Sequence, residues 1–134
     1  MSLESRIKEL EEALEDARLA VRELAAHPFN SLQHRAHSNS LSHGFWDPAP
    51  DFGTSIALVH TEVTEAFEEW RAGHGFTETY YVGDKPEGVP IELADILIRV
   101  FDLAGRYGID LDKAVAEKMA YNEGRPYRHG GKRA

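Results

Sequence analysis

The chain has 134 residues, enough for one domain with a core of its own, and no cysteine, which excludes disulfides and thiolate metal sites and makes the cytoplasm the simplest setting. Fifteen Lys and Arg against 23 Asp and Glu leave a formal charge of -8, which excludes a general nucleic-acid binder, because phosphate backbones are held by basic surfaces. No apolar run reaches the length of a membrane span or of a signal-peptide core, so no membrane partner is expected, and the chain contains no internal repeat.

In chain order, residues Leu3 to Ala26 predict a charged helix with Leu3, Leu10, Ala17 and Leu24 on one heptad position and Ile7, Leu14 and Val21 on the other. Two apolar seams over about three heptads are the pattern of a short coiled coil or of a helix laid along a bundle. His27-Pro28 ends this helix, since proline cannot continue it. From Phe29 to Gly53 the chain is rich in Asn, Ser, His, Pro and Gly and predicts short helix or loop. His34 and His37 share a helical turn but have no third ligand at metal spacing, so zinc is not expected. Gly44-Phe45-Trp46-Asp47 sets two large aromatics in a polar loop, able either to stack on a nucleobase or to plug the end of a core.

Ile56 to Arg71 predicts an amphipathic helix, with Ile56, Val59, Val63, Phe67 and Trp70 on one face. Glu62, Glu65 and Glu69 lie beside that stripe, and no Lys or Arg falls among them before Arg71. Glutamates three and four apart repel unless something positive sits between them, so the cluster is either a solvated acidic face or a metal site. Ala72-Gly73-His74-Gly75 ends the helix, and Phe76 to Pro90 reads as a loop over the site, with Thr77 to Val82 strand-like but lacking a partner.

Ile91 to Tyr107 predicts the central helix of a bundle, because apolar residues cover well over half of its circumference. Its polar residues Glu92, Asp95, Arg99 and Asp102 form a narrow stripe, and each buried carboxylate there needs a partner. Arg99 can neutralise one of Glu62, Glu65, Glu92 and Asp95 but not all four. Two acidic pairs at i, i+3 on facing helices supply the oxygen ligands that Mg²⁺ prefers. Asp110 is placed to cap a last helix, Leu111 to Tyr121, followed by a basic tail of Arg125, Arg128, His129, Lys132 and Arg133.

Glu62-x-x-Glu65 followed after a loop by Glu92-x-x-Asp95 resembles the ExxE…ExxD signature of the MazG-like, all-α nucleoside triphosphate pyrophosphohydrolases, a superfamily that includes dCTP pyrophosphatases and dimeric dUTPases. His43-Gly44-Phe45-Trp46, Glu65-Ala66-Phe67-Glu68 with Trp70-Arg71, Leu93-Ala94-Asp95, and Lys118-Met119-Ala120-Tyr121-Asn122 with Arg125-Pro126 extend the resemblance over about residues 38 to 132 of a single domain, 1–134. Residues 1 to 26 look like an addition to it. Thr61 departs from the pattern, where many members carry a further glutamate.

The resemblance implies an all-α helical bundle completed by oligomerisation, as a homodimer or homotetramer. It implies hydrolysis of a nucleoside triphosphate to the monophosphate and pyrophosphate, in the manner of enzymes that clear non-canonical nucleotides. Mg²⁺, with Mn²⁺ as substitute, would be held by Glu62, Glu65, Glu92 and Asp95, with Glu62 or Glu65 doubling as the catalytic base. Lys118, Asn122 and Arg125 would contact phosphate or metal. The base would lie near Phe45 and Trp46, with preference set by polar neighbours such as His43 or Asn39. Two alternatives stand beside this reading: a non-catalytic helical interaction module, and a pyrophosphohydrolase acting on a phosphoribosyl nucleotide.

Overall fold

The structure is a computed structural model and describes residues 2–127. Its elements are α1 (Leu3–Ala26), α2 (Pro28–Ser42), α3 (Phe52–Arg71), β1 (Tyr80–Val82), β2 (Lys85–Glu87), α4 (Val89–Tyr107) and α5 (Leu111–Glu123). The fold is all-α, with one two-stranded ribbon between α3 and α4. No helix among the described residues is long and apolar enough to cross a membrane.

Helix α4 lies at the centre, packed against α2 on one side and α3 on the other. Its buried residues Val89, Phe101, Leu103 and Ala104 form the core. Side chains alone do not set the α2–α4 spacing. A Cβ on Gly105 would come within 2.6 Å of the His37 Cβ, so the two backbones approach where glycine permits it.

Helix α2 runs for 15 residues where the composition predicted short helix or loop. Asn, Ser and His are poor helix formers, and the support comes from far along the chain. The Asp112 carboxylate accepts hydrogen bonds from the backbone N–H groups of Phe29 (3.1 Å) and Asn30 (2.9 Å), capping an end that His27 leaves without a side-chain cap. Phe29 then packs on Phe101, and Gln33 donates to the Ile109 carbonyl.

The loop expected over Phe76 to Pro90 contains a hairpin. Tyr80, Tyr81 and Val82 pair antiparallel with Glu87, Pro86 and Lys85, turning through Gly83 at φ 63°. Pro86 hides the second strand from sequence, and it is tolerated because the ribbon has free edges. Gly88, at φ 120°, closes the connection: a Cβ there would strike the Glu78 carbonyl oxygen.

Asp51 accepts from Thr54 N–H at 2.7 Å and starts α3 four residues before the predicted Ile56. Asp110 caps α5 through Lys113 N–H, as the sequence suggested, and α5 packs on α2. Helix α1 has its predicted bounds, buries no residue and packs lightly on α2.

Candidate functional site

On α3, Ser55, Glu62 and Glu69 recur at intervals of seven residues, one face of the helix, with Glu65 beside them. On α4, Glu92, Asp95, Arg99 and Asp102 form the facing stripe. Carboxylate oxygens of Glu62, Glu65 and Glu92 come within 4.8 Å of one another. Glu62 and Glu92 are buried, at 7% and 4% exposure, whereas Glu65 is exposed. Thus the two sequence motifs do meet in space, through three of their four acids.

Each acid has a different electrostatic solution. Arg99 Nε donates to Glu62 Oε1 at 2.6 Å, so the counter-ion anticipated for one acid belongs to Glu62. Among the described residues, Glu92 Oε2 is buried with no hydrogen-bond partner. Burial, reinforced by the charge of Glu65, pushes the Glu92 carboxyl up to about 7. Asp95 is raised by burial and then by Glu62, partly offset by Arg99. It stands outside the three-acid group but lines the same cavity as Glu62. A buried, unpartnered carboxylate oxygen among other acids is costly unless a proton or a cation joins it. The donor set, all hard oxygens, fits Mg²⁺ or Mn²⁺.

A second group of acids, Glu69, Glu87 and Glu92, shares Glu92 with the first. Here the hairpin supplies partners. Tyr80 Oη donates to both Glu69 oxygens at 3.0 and 3.1 Å, and Lys85 Nζ lies 2.6 Å from Glu87 Oε1. The positive field of Lys85 also reaches Glu92, Glu65 and Asp95.

A cavity of about 320 Å³ opens between α2, α3 and α4 beside the carboxylates. Glu62, Asp95 and Arg99 mark one level of its wall; Trp46 and Asp102 mark another. Asp95 and Asp102 are seven residues apart on α4, roughly 10 Å along the axis at about 1.5 Å per residue. Asp102 Oδ1 accepts from Trp46 Nε1 at 2.9 Å and lies 2.7 Å from His37 Nδ1, while the Arg106 guanidinium sits 5.0 Å from the Trp46 ring centre. Trp46 is therefore fixed by its edge and half-buried, and Phe45 is 69% exposed at the same cavity. Asn39 and the buried hydroxyls of Ser40 and Ser55 complete its polar lining.

The remaining predicted residues are elsewhere. Lys118 and Asn122 are exposed on α5, and Arg125 follows its end; none of the three lines the cavity or belongs to either acidic group. Lys118 and Arg125 both lie against the Tyr121 ring, at 4.9 and 4.8 Å. His43 caps α2, its Nδ1 2.8 Å from the Asn39 carbonyl oxygen, and does not line the cavity, whereas Asn39 does. The Thr61 hydroxyl donates to the Leu58 carbonyl. Arg128, His129, Lys132 and Arg133 lie outside the described residues.

Sequence reasoning missed Ser40, Ser55, Lys85 and Glu87 and gave Asp102 no role at the cavity. Ser55 was detectable as the residue seven before Glu62. Lys85 and Glu87 carried no periodic signal, because a hairpin places them. Compared with family models, with curated proteins and with solved structures, the chain matches none.

Proposed function

We propose that this protein is a Mg²⁺-dependent nucleoside triphosphate pyrophosphohydrolase of the MazG-like class, releasing monophosphate and pyrophosphate. The observation that carries the reading is the juxtaposition of two features. Glu62, Glu65 and Glu92 converge within 4.8 Å, and the adjoining cavity is walled by Phe45 and Trp46. Its volume of about 320 Å³ falls within the ordinary range of small-ligand pockets.

Glu62, Glu65 and Glu92, with Asp95 beside them, would hold a divalent cation, which when bound would supply charge neutralisation for phosphate and acidify an attacking water. The chain's own residues do the rest. Trp46, clamped through Asp102, offers a ring face for stacking, worth about 1–3 kcal/mol per base and tolerant of base identity. Asn39, Ser40 and Ser55 offer the hydrogen bonds that discriminate between bases. Buried Glu62 keeps its orientation through Arg99, and exposed Glu65 is the better placed of the first pair to take a proton from water.

We further propose that the working unit is a homo-oligomer. Leu93, Leu97 and Ile98 of the central helix, and Val63, Phe67 and Trp70 of α3, are about half-exposed, a pattern that a second copy would relieve. In such an assembly Lys118, Asn122 and Arg125 can serve a neighbour's site.

The test is a panel of canonical and modified nucleoside triphosphates, together with a phosphoribosyl nucleotide, incubated with Mg²⁺ and read as pyrophosphate. Metal-dependent pyrophosphate release from at least one triphosphate is expected. Orthophosphate as the first product, or no turnover of any triphosphate, overturns the reading.

A further inference from the structure

The cavity presents a problem of charge. Glu62, Asp95 and Asp102 all line it, yet the proposed substrate is a polyanion. Lys118 and Arg125, the cations that the sequence put forward for phosphate, are absent from its wall. Among the described residues that line it, Arg99 is the only cationic side chain.

Its position is specific. On α4, Arg99 stands four residues after Asp95 and three before Asp102, which places it between the carboxylate level and the Trp46 level, roughly 6 Å from one and 4.5 Å from the other along the axis. A nucleotide with its base against Trp46 and its phosphates directed toward the carboxylates brings the phosphate nearest the sugar to the Arg99 guanidinium and to Glu62, which Arg99 touches. The geometry of the side chain suits this contact. Its Nε is committed to Glu62 at 2.6 Å, while its side chain remains 42% exposed and lines the cavity, so the planar guanidinium is anchored through one N–H and the side chain stays accessible. Such a fork matches two phosphate oxygens at once.

We propose that Arg99 is the phosphate-binding residue of this cavity, gripping the phosphate next to the sugar while its Nε holds Glu62. The inference rests on the pyrophosphohydrolase reading and adds to it the residue that donates to the oxygens of the phosphate under attack. The same side chain then does two things: it compensates buried Glu62 in the free protein and orients the phosphate in the complex. Preorganisation follows, because the ion pair fixes the guanidinium before the nucleotide arrives.

The experiment compares the full-length wild type, Arg99→Met and Arg99→Lys for equilibrium binding of the four common deoxynucleoside 5′-monophosphates and of the matching deoxynucleosides, with Mg²⁺, alongside pyrophosphate release from the triphosphates. For the wild type, at least one monophosphate should bind ten-fold or more tighter than its nucleoside. Arg99→Met should lose most of that ratio while nucleoside affinity stays unchanged. Arg99→Lys, which keeps a charge for Glu62 without the fork, should give an intermediate ratio, an outcome that global unfolding would not produce. An unaltered monophosphate-to-nucleoside ratio in both variants, with wild-type hydrolysis intact, overturns the role of Arg99 alone. A wild type that neither binds these compounds nor releases pyrophosphate overturns it together with the pyrophosphohydrolase reading.

Discussion

Glu92 concentrates the conflict between burial and charge: 4% exposed, with one oxygen unpartnered and two groups of acids around it. Burial, then the charge of Glu65, raises its carboxyl from 4.5 to about 7. In the metal-free protein the linkage has a definite sign. Below pH 4.5 the folded and unfolded chains both carry this proton and stability does not change. Between pH 4.5 and 7 the unfolded chain releases it while the folded chain keeps it, so stability falls as pH rises, by about 3 kcal/mol in total. Thermal denaturation with chelator should give a melting temperature that drops across this window, and saturating Mg²⁺ should flatten the slope. Equal slopes with and without metal would remove Glu92 from the site. Neutral replacements of the acids test the same point by activity. Glu62→Gln, Glu65→Gln, Glu92→Gln and Asp95→Asn should each lower kcat/KM on the order of 100-fold or more, with Glu92→Gln more thermostable than wild type in chelator. Wild-type turnover in two of the four would refute the assignment.

Helix α2 is the element whose stability depends most on distant residues. Asp112 on α5 caps its first turn, and Gly105 on α4 admits its backbone. Asp112→Ala should cost about 0.5–2 kcal/mol through two lost caps, and Gly105→Ala about 1–3 kcal/mol through overpacking against His37. Urea denaturation at equilibrium measures both, and unchanged midpoints would contradict the packing described. These contacts also explain what the sequence could and could not reveal. The apolar periodicity of α3 and α4 made both helices readable, and with them the meeting of Glu62, Glu65 and Glu92. In α2, by contrast, weak local propensity is outweighed by a cap from residue 112 and a close approach at residue 105, neither of which leaves a local pattern. The hairpin eluded periodicity for a related reason: two three-residue strands, one containing Pro86, are too short to register. Arg99 was legible as a counter-ion, but its place between Asp95 and the Trp46 clamp needed the fold.

At the scale of the whole molecule, the apolar surface left uncovered is the main unfinished feature. Helix α1 buries none of its seam, with Ile7, Leu10, Leu14 and Leu24 about half-exposed. Standard interfaces bury about 800 Å² per partner and obligate ones more, which the exposed faces of α1, α3 and α4 can supply. Sedimentation should therefore give a dimer or tetramer mass, and deletion of residues 1 to 26 should change that mass or the melting temperature. A truncated protein identical to the full chain in both would make α1 an idle appendage.

The bond that is cut separates the proposed pyrophosphohydrolase from a phosphatase. If the acids hold Mg²⁺ beside the inner phosphate and Arg99 orients it, water attacks the α-phosphorus and pyrophosphate leaves. Hydrolysis of the preferred triphosphate in ¹⁸O-labelled water, with both products weighed by mass spectrometry, decides this directly: one ¹⁸O in the monophosphate and none in pyrophosphate is expected, whereas label confined to pyrophosphate, or orthophosphate as the first product, would refute attack at the α-phosphorus.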